Sequence, residues 1–214
     1  MPLYQFRDGS RERTFLFIHI PKTGGTAIET YFRGIGLASF LDPTSYGQFR
    51  PYLSLAPTHF DYRVTSMLFR LESLYSFAVV RHPVQRLISE YKWAVEKSTL
   101  PDAIKTLSFS DFIRHMFAAY GRDENLLAGH FKPQARFVGS KVSKVFKYEA
   151  GLDAVVRQVL QAVGLKVDGE IRLPVVNRAG ERKVEPTEED VALIRDVYSE
   201  DFETFGYRDG NTES

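Results

Sequence analysis

The chain has 214 residues, 43% of them hydrophobic and 14% aromatic, enough to bury a sizeable core in one α/β domain. A net charge of +1 excludes a global basic field for nucleic acid, so any anion site must be local. Cysteine is absent, which excludes disulfides and thiolate metal sites, and the five histidines show no metal-binding spacing.

Residues 1–13 read as a polar lead-in without a signal peptide. No stretch approaches the roughly 18 apolar residues of a membrane span. The expectation is a soluble, cytoplasmic, single domain over 1–214 with a polar tail at 208–214. Residues 15–20, FLFIHI, predict a buried strand that breaks at Pro21. Lys22, Thr23, Gly24, Gly25 and Thr26 then turn into a helix with Ile28 and Phe32 four apart. Backbone N–H groups at such a turn and helix start favour an anion. The glycines permit close approach, and Lys22 adds a full charge.

Residues 34–58 read as irregular connection. Tyr46, Phe49 and Tyr52 can stack on sugar rings there, with packing the expected role. His59 follows, beside Phe60. Residues 75–81, YSFAVVR, predict a second strand ending on Arg81, and Pro83 opens a helix with Leu87, Ile88, Tyr91 and Val95 on its apolar stripe. That helix ends near Ser98. Ser110 is placed to cap a helix that stops at Gly121. Residues 128–139 read as a loop, and residues from Lys144 as a third strand. Residues 151–163 form a helix closed by Gly164, and Thr187 caps a last helix running to about Phe205. Alternating strands and helices predict a central, mainly parallel sheet flanked by helices, with ligands beyond the carboxyl ends of the strands.

PKTGGT differs from the GxxxxGK[ST] loop of nucleotide kinases, because Lys22 precedes the glycines and the strand before Arg81 ends without an aspartate. A second anion site is formed by Arg81, which can fork onto a phosphate, and Ser89, two turns into the next helix. Arg86 is expected to share that helix face. Two separate anion sites suit a ligand with phosphates at both ends.

IPKTGGT followed by VVRHPVQRLISEY resembles the paired phosphate-binding signatures of the carbohydrate-type (family 2) sulfotransferases. The resemblance implies a P-loop-like three-layer sulfotransferase fold and the donor 3′-phosphoadenosine 5′-phosphosulfate, or PAPS, leaving as adenosine 3′,5′-bisphosphate. It places Lys22, Thr23, Gly24, Gly25 and Thr26 on the phosphosulfate and Arg81 and Ser89 on the 3′-phosphate. Asn177 and Arg178 match a late basic loop that closes over the nucleotide, and FKYEAGL and YSEDFETFGY look like further family segments. His82 stands where the family more often has Asp or Asn. The activity implied is in-line sulfuryl transfer to a hydroxyl of a carbohydrate or glycolipid, with no metal. Lys22 is expected at the leaving oxygen and His59 as the base.

His130 is the rival base, and Gln134 a candidate substrate or donor contact. His19 is expected mid-strand and structural, and His115 on a helix. The competing functions are a P-loop nucleotide kinase or NTPase and a non-catalytic nucleotide-binding protein.

Overall fold

The computed structural model describes residues 1–41, 57–97, 100–176 and 183–208. The expectations for Tyr46, Phe49 and Tyr52, and for Asn177 and Arg178, fall outside the described residues. In chain order the strands and main helices begin with β1 (Leu3–Asp8), β2 (Arg11–Ile18), α1 (Gly25–Gly34), β3 (Ala38–Phe40), α2 (Tyr62–Leu68) and β4 (Tyr75–Val80). Then come α3 (Pro83–Lys97), α4 (Phe109–Tyr120), β5 (Lys144–Lys147), α5 (Leu152–Val163), α6 (Glu188–Val197) and α7 (Ser199–Phe205). They fall into two compact units, Met1–Val80 with Arg136–Val176, and Arg81–Ala135 with the residues from Asn177 onward.

The first unit holds a five-stranded sheet in the order β3-β1-β2-β4-β5. Strands β2, β4 and β5 run parallel, whereas β1 pairs antiparallel with both β2 and β3. The sheet is therefore mixed, with β1 running against β2, β3, β4 and β5. The lead-in expected at residues 1–13 is β1 and the start of β2. Tyr4 and Phe6 alternate inward there, and the two-residue turn starts at Gly9 with a φ of 61°. A glycine in a two-residue hairpin loop supplies the positive φ that matches strand twist. Residues 34–58, expected to be irregular, include the edge strand β3.

One face of the sheet carries Tyr4, Phe15, Phe17, Phe77, Val79 and Phe146, packed with Ile28 and Phe32 of α1 and with Val155, Val156 and Val159 of α5. Phe17 sits opposite Phe77, their rings stacked 4.7 Å apart. Leu16, Ile18, Ala78 and Val80 alternate to the other face and are equally buried. Burial on both faces explains why β2 and β4 read as continuous apolar runs.

In the second unit Tyr91 of α3 packs its ring against Phe109 and Phe112, and its hydroxyl donates to the Leu107 carbonyl at 2.8 Å. Ser108, rather than Ser110, caps α4, accepting from the Asp111 N–H at 3.1 Å. Thr187 and Asp190 form the expected cap of α6 as a reciprocal box. The last helix is two, because Tyr198, at φ −112° and ψ 28°, separates α6 from α7. No described helix is long and apolar enough to cross a membrane.

Candidate functional site

Strand β2 stops at Ile18, so His19 lies just past its end instead of mid-strand. The chain then tightens: the Thr23 hydroxyl donates to the Ile20 carbonyl at 2.9 Å, and the backbone takes positive φ at Lys22 (67°) and Gly24 (86°). Positive φ is uncommon for a lysine and is held only by surrounding structure. Gly24 is the N-cap of α1 and, having no side chain, offers its first turn no side-chain acceptor. Ala27 and Ile28 donate their N–H groups to the Gly24 carbonyl, and the helix start at Gly25 and Thr26 stands next in the chain to a half-buried Lys22, with Thr26 exposed. Lysine, threonine and backbone N–H groups are donors suited to an anion. They fit a phosphosulfate.

Gly24 is required by its positive φ, and Gly25 by the ring packed against it. A Cβ on Gly24 would stand 2.5 Å from Leu152 Cδ1, and one on Gly25 would stand 2.3 Å from His19 Nε2. The His19 ring therefore lies directly against the loop. Its Nδ1 is 2.5 Å from Glu29 Oε1 on the buried side of α1. Burial pushes the Glu29 carboxyl up, but the charge and hydrogen bond of His19 outweigh it and hold the group below its ordinary value. An ionised carboxylate can only accept, so His19 Nδ1 donates. Edge-on to His19, at 5.2 Å between ring centroids, stands His59, half-buried in the turn Pro57–His59. Glu29, His19, His59 and the Lys22–Thr26 loop form one contiguous group.

In the second unit, Arg81 follows the last residue of β4, half-buried, and Ser89 is half-buried on α3. The Arg81 N–H donates to Gln134 Oε1 at 2.8 Å, and Gln134 Nε2 donates to the Arg81 carbonyl at 2.8 Å. Gln134 Nε2 also reaches Asp201 Oδ2 at 3.2 Å, while Asp201 Oδ1 accepts from the Ala135 N–H at 2.8 Å. Arg86 lies one helical turn before Ser89 on α3. It is buried, and donates to the carbonyls of His130 at 2.7 Å and Lys132 at 2.9 Å. His130 Nδ1 lies 2.9 Å from the buried Glu90 carboxylate. His82 is buried against Phe202 and Tyr207, and its Nε2 donates to the Arg208 carbonyl at 3.2 Å. His115 lies on α4, as expected.

The family 2 model of the Sulfotransferase family matches residues 8–208. The chain belongs to the sulfotransferase family. Neither the curated proteins nor the solved structures gave a match. Within this sulfotransferase the first signature, Lys22–Thr26, and His59 share one unit, and Arg81 and Ser89 share the other. Among the described residues no cluster of three or more His, Asp or Glu is arranged to hold a metal.

Sequence reasoning missed Glu29, Glu90 and Asp201. Each leaves a trace: a carboxylate at a helix position whose neighbours are apolar. Glu29 sits between Ile28 and Phe32, and Glu90 shares a face with Leu87 and Ala94. Acidic residues are almost never fully buried without a partner, so such placement announces one. Gln134, expected to touch substrate or donor, is fully buried with its amide committed to Arg81 and Asp201.

Proposed function

We propose that this sulfotransferase uses PAPS to sulfate a hydroxyl on a glycan or glycolipid, with His59 as general base. The observation that carries the reading is the contact of His59 with His19, whose ring lies against the PKTGGT loop. The candidate base and the candidate leaving-group site thus belong to one packed group. Bound PAPS supplies the sulfuryl group and a bisphosphate leaving group.

The residues of the chain do the rest. Lys22, the N–H groups of the turn and Thr26 bind the 5′ end and stabilise negative charge there, an effect that removal of one donor usually reveals as about 10²–10³ in kcat. Arg81 forks onto the 3′-phosphate and Ser89 donates its hydroxyl to it. Asn177 and Arg178 are assigned to nucleotide binding by the family resemblance alone. His59 takes the acceptor proton, a role worth about 10²- to 10⁴-fold. Glu29 and His19 hold the ring beside it in place.

His130 is the second candidate base, because a buried carboxylate orients its ring as a catalytic partner would. Transfer of labelled sulfate from PAPS to a panel of glycans, glycolipids and small alcohols tests the whole reading. Wild type is expected to transfer, His59→Ala to lose about 10²-fold or more in kcat with bisphosphate affinity intact, and His130→Ala to stay within a few-fold. The reverse order moves the base to His130. Preference for ATP with magnesium over adenosine 3′,5′-bisphosphate supports the kinase reading, and bisphosphate binding without transfer supports a non-catalytic binder.

A further inference from the structure

We propose that Gln134 is a positioning residue for Arg81, its side-chain amide standing in for a neighbouring strand at the point where β4 ends. The inference rests on the reading of Arg81 as the 3′-phosphate ligand.

Strand β4 pairs with β5 through Val80, opposite Lys147. Arg81 is the next residue, and its backbone N–H and carbonyl need partners once the strand has ended. Gln134 provides both, accepting from one and donating to the other at 2.8 Å each. That is the pairing a peptide group makes across a ladder, here made by a side chain. Only one orientation of the amide satisfies it, and the third bond, Nε2 to Asp201 Oδ2, agrees with that orientation. Both amide protons and the carbonyl are therefore committed, and Gln134 is fully buried. Asp201 of α7 is itself anchored by the Ala135 N–H, so two points hold the 134–135 turn.

The consequence is geometric. Fixing the N–H and carbonyl of one residue fixes the direction of its Cβ. A guanidinium at the end of a long, rotamer-rich side chain binds a phosphate well only if its root is held. Gln134 itself touches no ligand; it holds the Arg81 backbone at both its N–H and its carbonyl, one residue past the strand. The 128–139 segment, a loop by sequence, becomes part of the phosphate site through a backbone contact.

The test separates this role from general stability. Affinities for adenosine 3′,5′-bisphosphate and for adenosine 5′-monophosphate are measured by calorimetry on the full chain, and their ratio is the gain due to the 3′-phosphate. In wild type the bisphosphate is expected to bind tighter, and Arg81→Ala to abolish the gain. Gln134→Ala is expected to cut the gain about tenfold while monophosphate affinity stays within about twofold. If wild type shows no gain, or Arg81→Ala keeps it, the 3′-phosphate reading fails. If that reading holds but Gln134→Ala keeps the full gain, or weakens both ligands equally, the positioning role is overturned. Should Gln134→Ala not fold, the pair Gln134→Glu with Asp201→Asn keeps volume and reverses the donor and acceptor between them, while removing the bond from position 134 to the Arg81 carbonyl. A gain below wild type in that protein supports the role, and an undiminished gain overturns it.

Discussion

His19 is a residue whose neighbours leave it no room. Its ring stacks on Phe17 at 5.5 Å, its Nδ1 is tied to Glu29, and its edge meets Gly25. A methyl group at position 25 would press on three ring atoms between 2.3 and 2.6 Å away, and the ring cannot yield without breaking the pair with Glu29. Gly25→Ala is therefore expected to destabilise the protein by about 1–3 kcal/mol, the usual range for an overpacked core. Adding His19→Ala opens the space, so the double variant is expected to recover part of that loss, a coupling of about 0.5–3 kcal/mol. Urea unfolding of the four proteins measures it, and strictly additive losses would show that the ring does not set the need for glycine here.

Among the secondary-structure elements, the ones legible in the sequence share a cause. Strands β2 and β4 and helices α1, α3 and α5 bury whole faces, so their periodicity survives in the sequence. The β1–β2 hairpin did not announce itself, because only Tyr4 and Phe6 turn inward between polar neighbours, although Asp8-Gly9 was a turn signal in view. The candidate site divides in the same way. Lys22–Thr26 and Arg81 were legible as strand ends followed by helix starts. The groups behind them, Glu29 under His19 and Gln134 under Arg81, were not, since pairing over ten or fifty-three residues leaves no local pattern. Helix caps show how such a partner changes an expectation. Ser110 looked like a cap but donates to Asp190 Oδ2 at 2.7 Å, while Asp190 also closes the box with Thr187. Thr187→Ala is expected to cost about 1 kcal/mol, as capping threonines do. Asp190→Ala, which removes the box and the tie to α4 together, should cost more than Thr187→Ala and more than Ser110→Ala. Thermal unfolding ranks the three, and an Asp190→Ala protein no weaker than Thr187→Ala would deny the tie between α4 and α6 any energetic weight.

The whole molecule distributes buried carboxylates of opposite acid behaviour, and this governs how its stability should depend on pH. Asp201 is buried, and burial pushes its carboxyl up despite Arg86 and the hydrogen bonds from Ala135 and Gln134, so its ionised form is disfavoured in the fold. Burial also pushes up Asp190, but its bonds with Ser110 and Thr187 and the charge of Arg114 bring it below its ordinary 3.8. Glu29, against the same opposing burial, is held below its ordinary 4.5 by His19 first, then by the amino terminus and Arg33. With terms of both signs, the acid limb of the wild-type curve does not isolate any one of them, whereas a difference curve does. The folded form binds a proton at Glu29 less readily than the unfolded chain, so the pair contributes fully above the unfolded value. That contribution drains away as pH falls through the lower folded value. Glu29→Gln keeps an acceptor for His19 Nδ1 and removes the charge. It should be less stable than wild type by roughly 1–3 kcal/mol near neutrality, with the gap narrowing only once pH drops below about 4.5. Urea midpoints of the two proteins from about pH 7 to about pH 3 measure this. A gap that stays constant across the range, or widens toward acid, would mean that the charge on Glu29 does not stabilise the group beneath the PKTGGT loop.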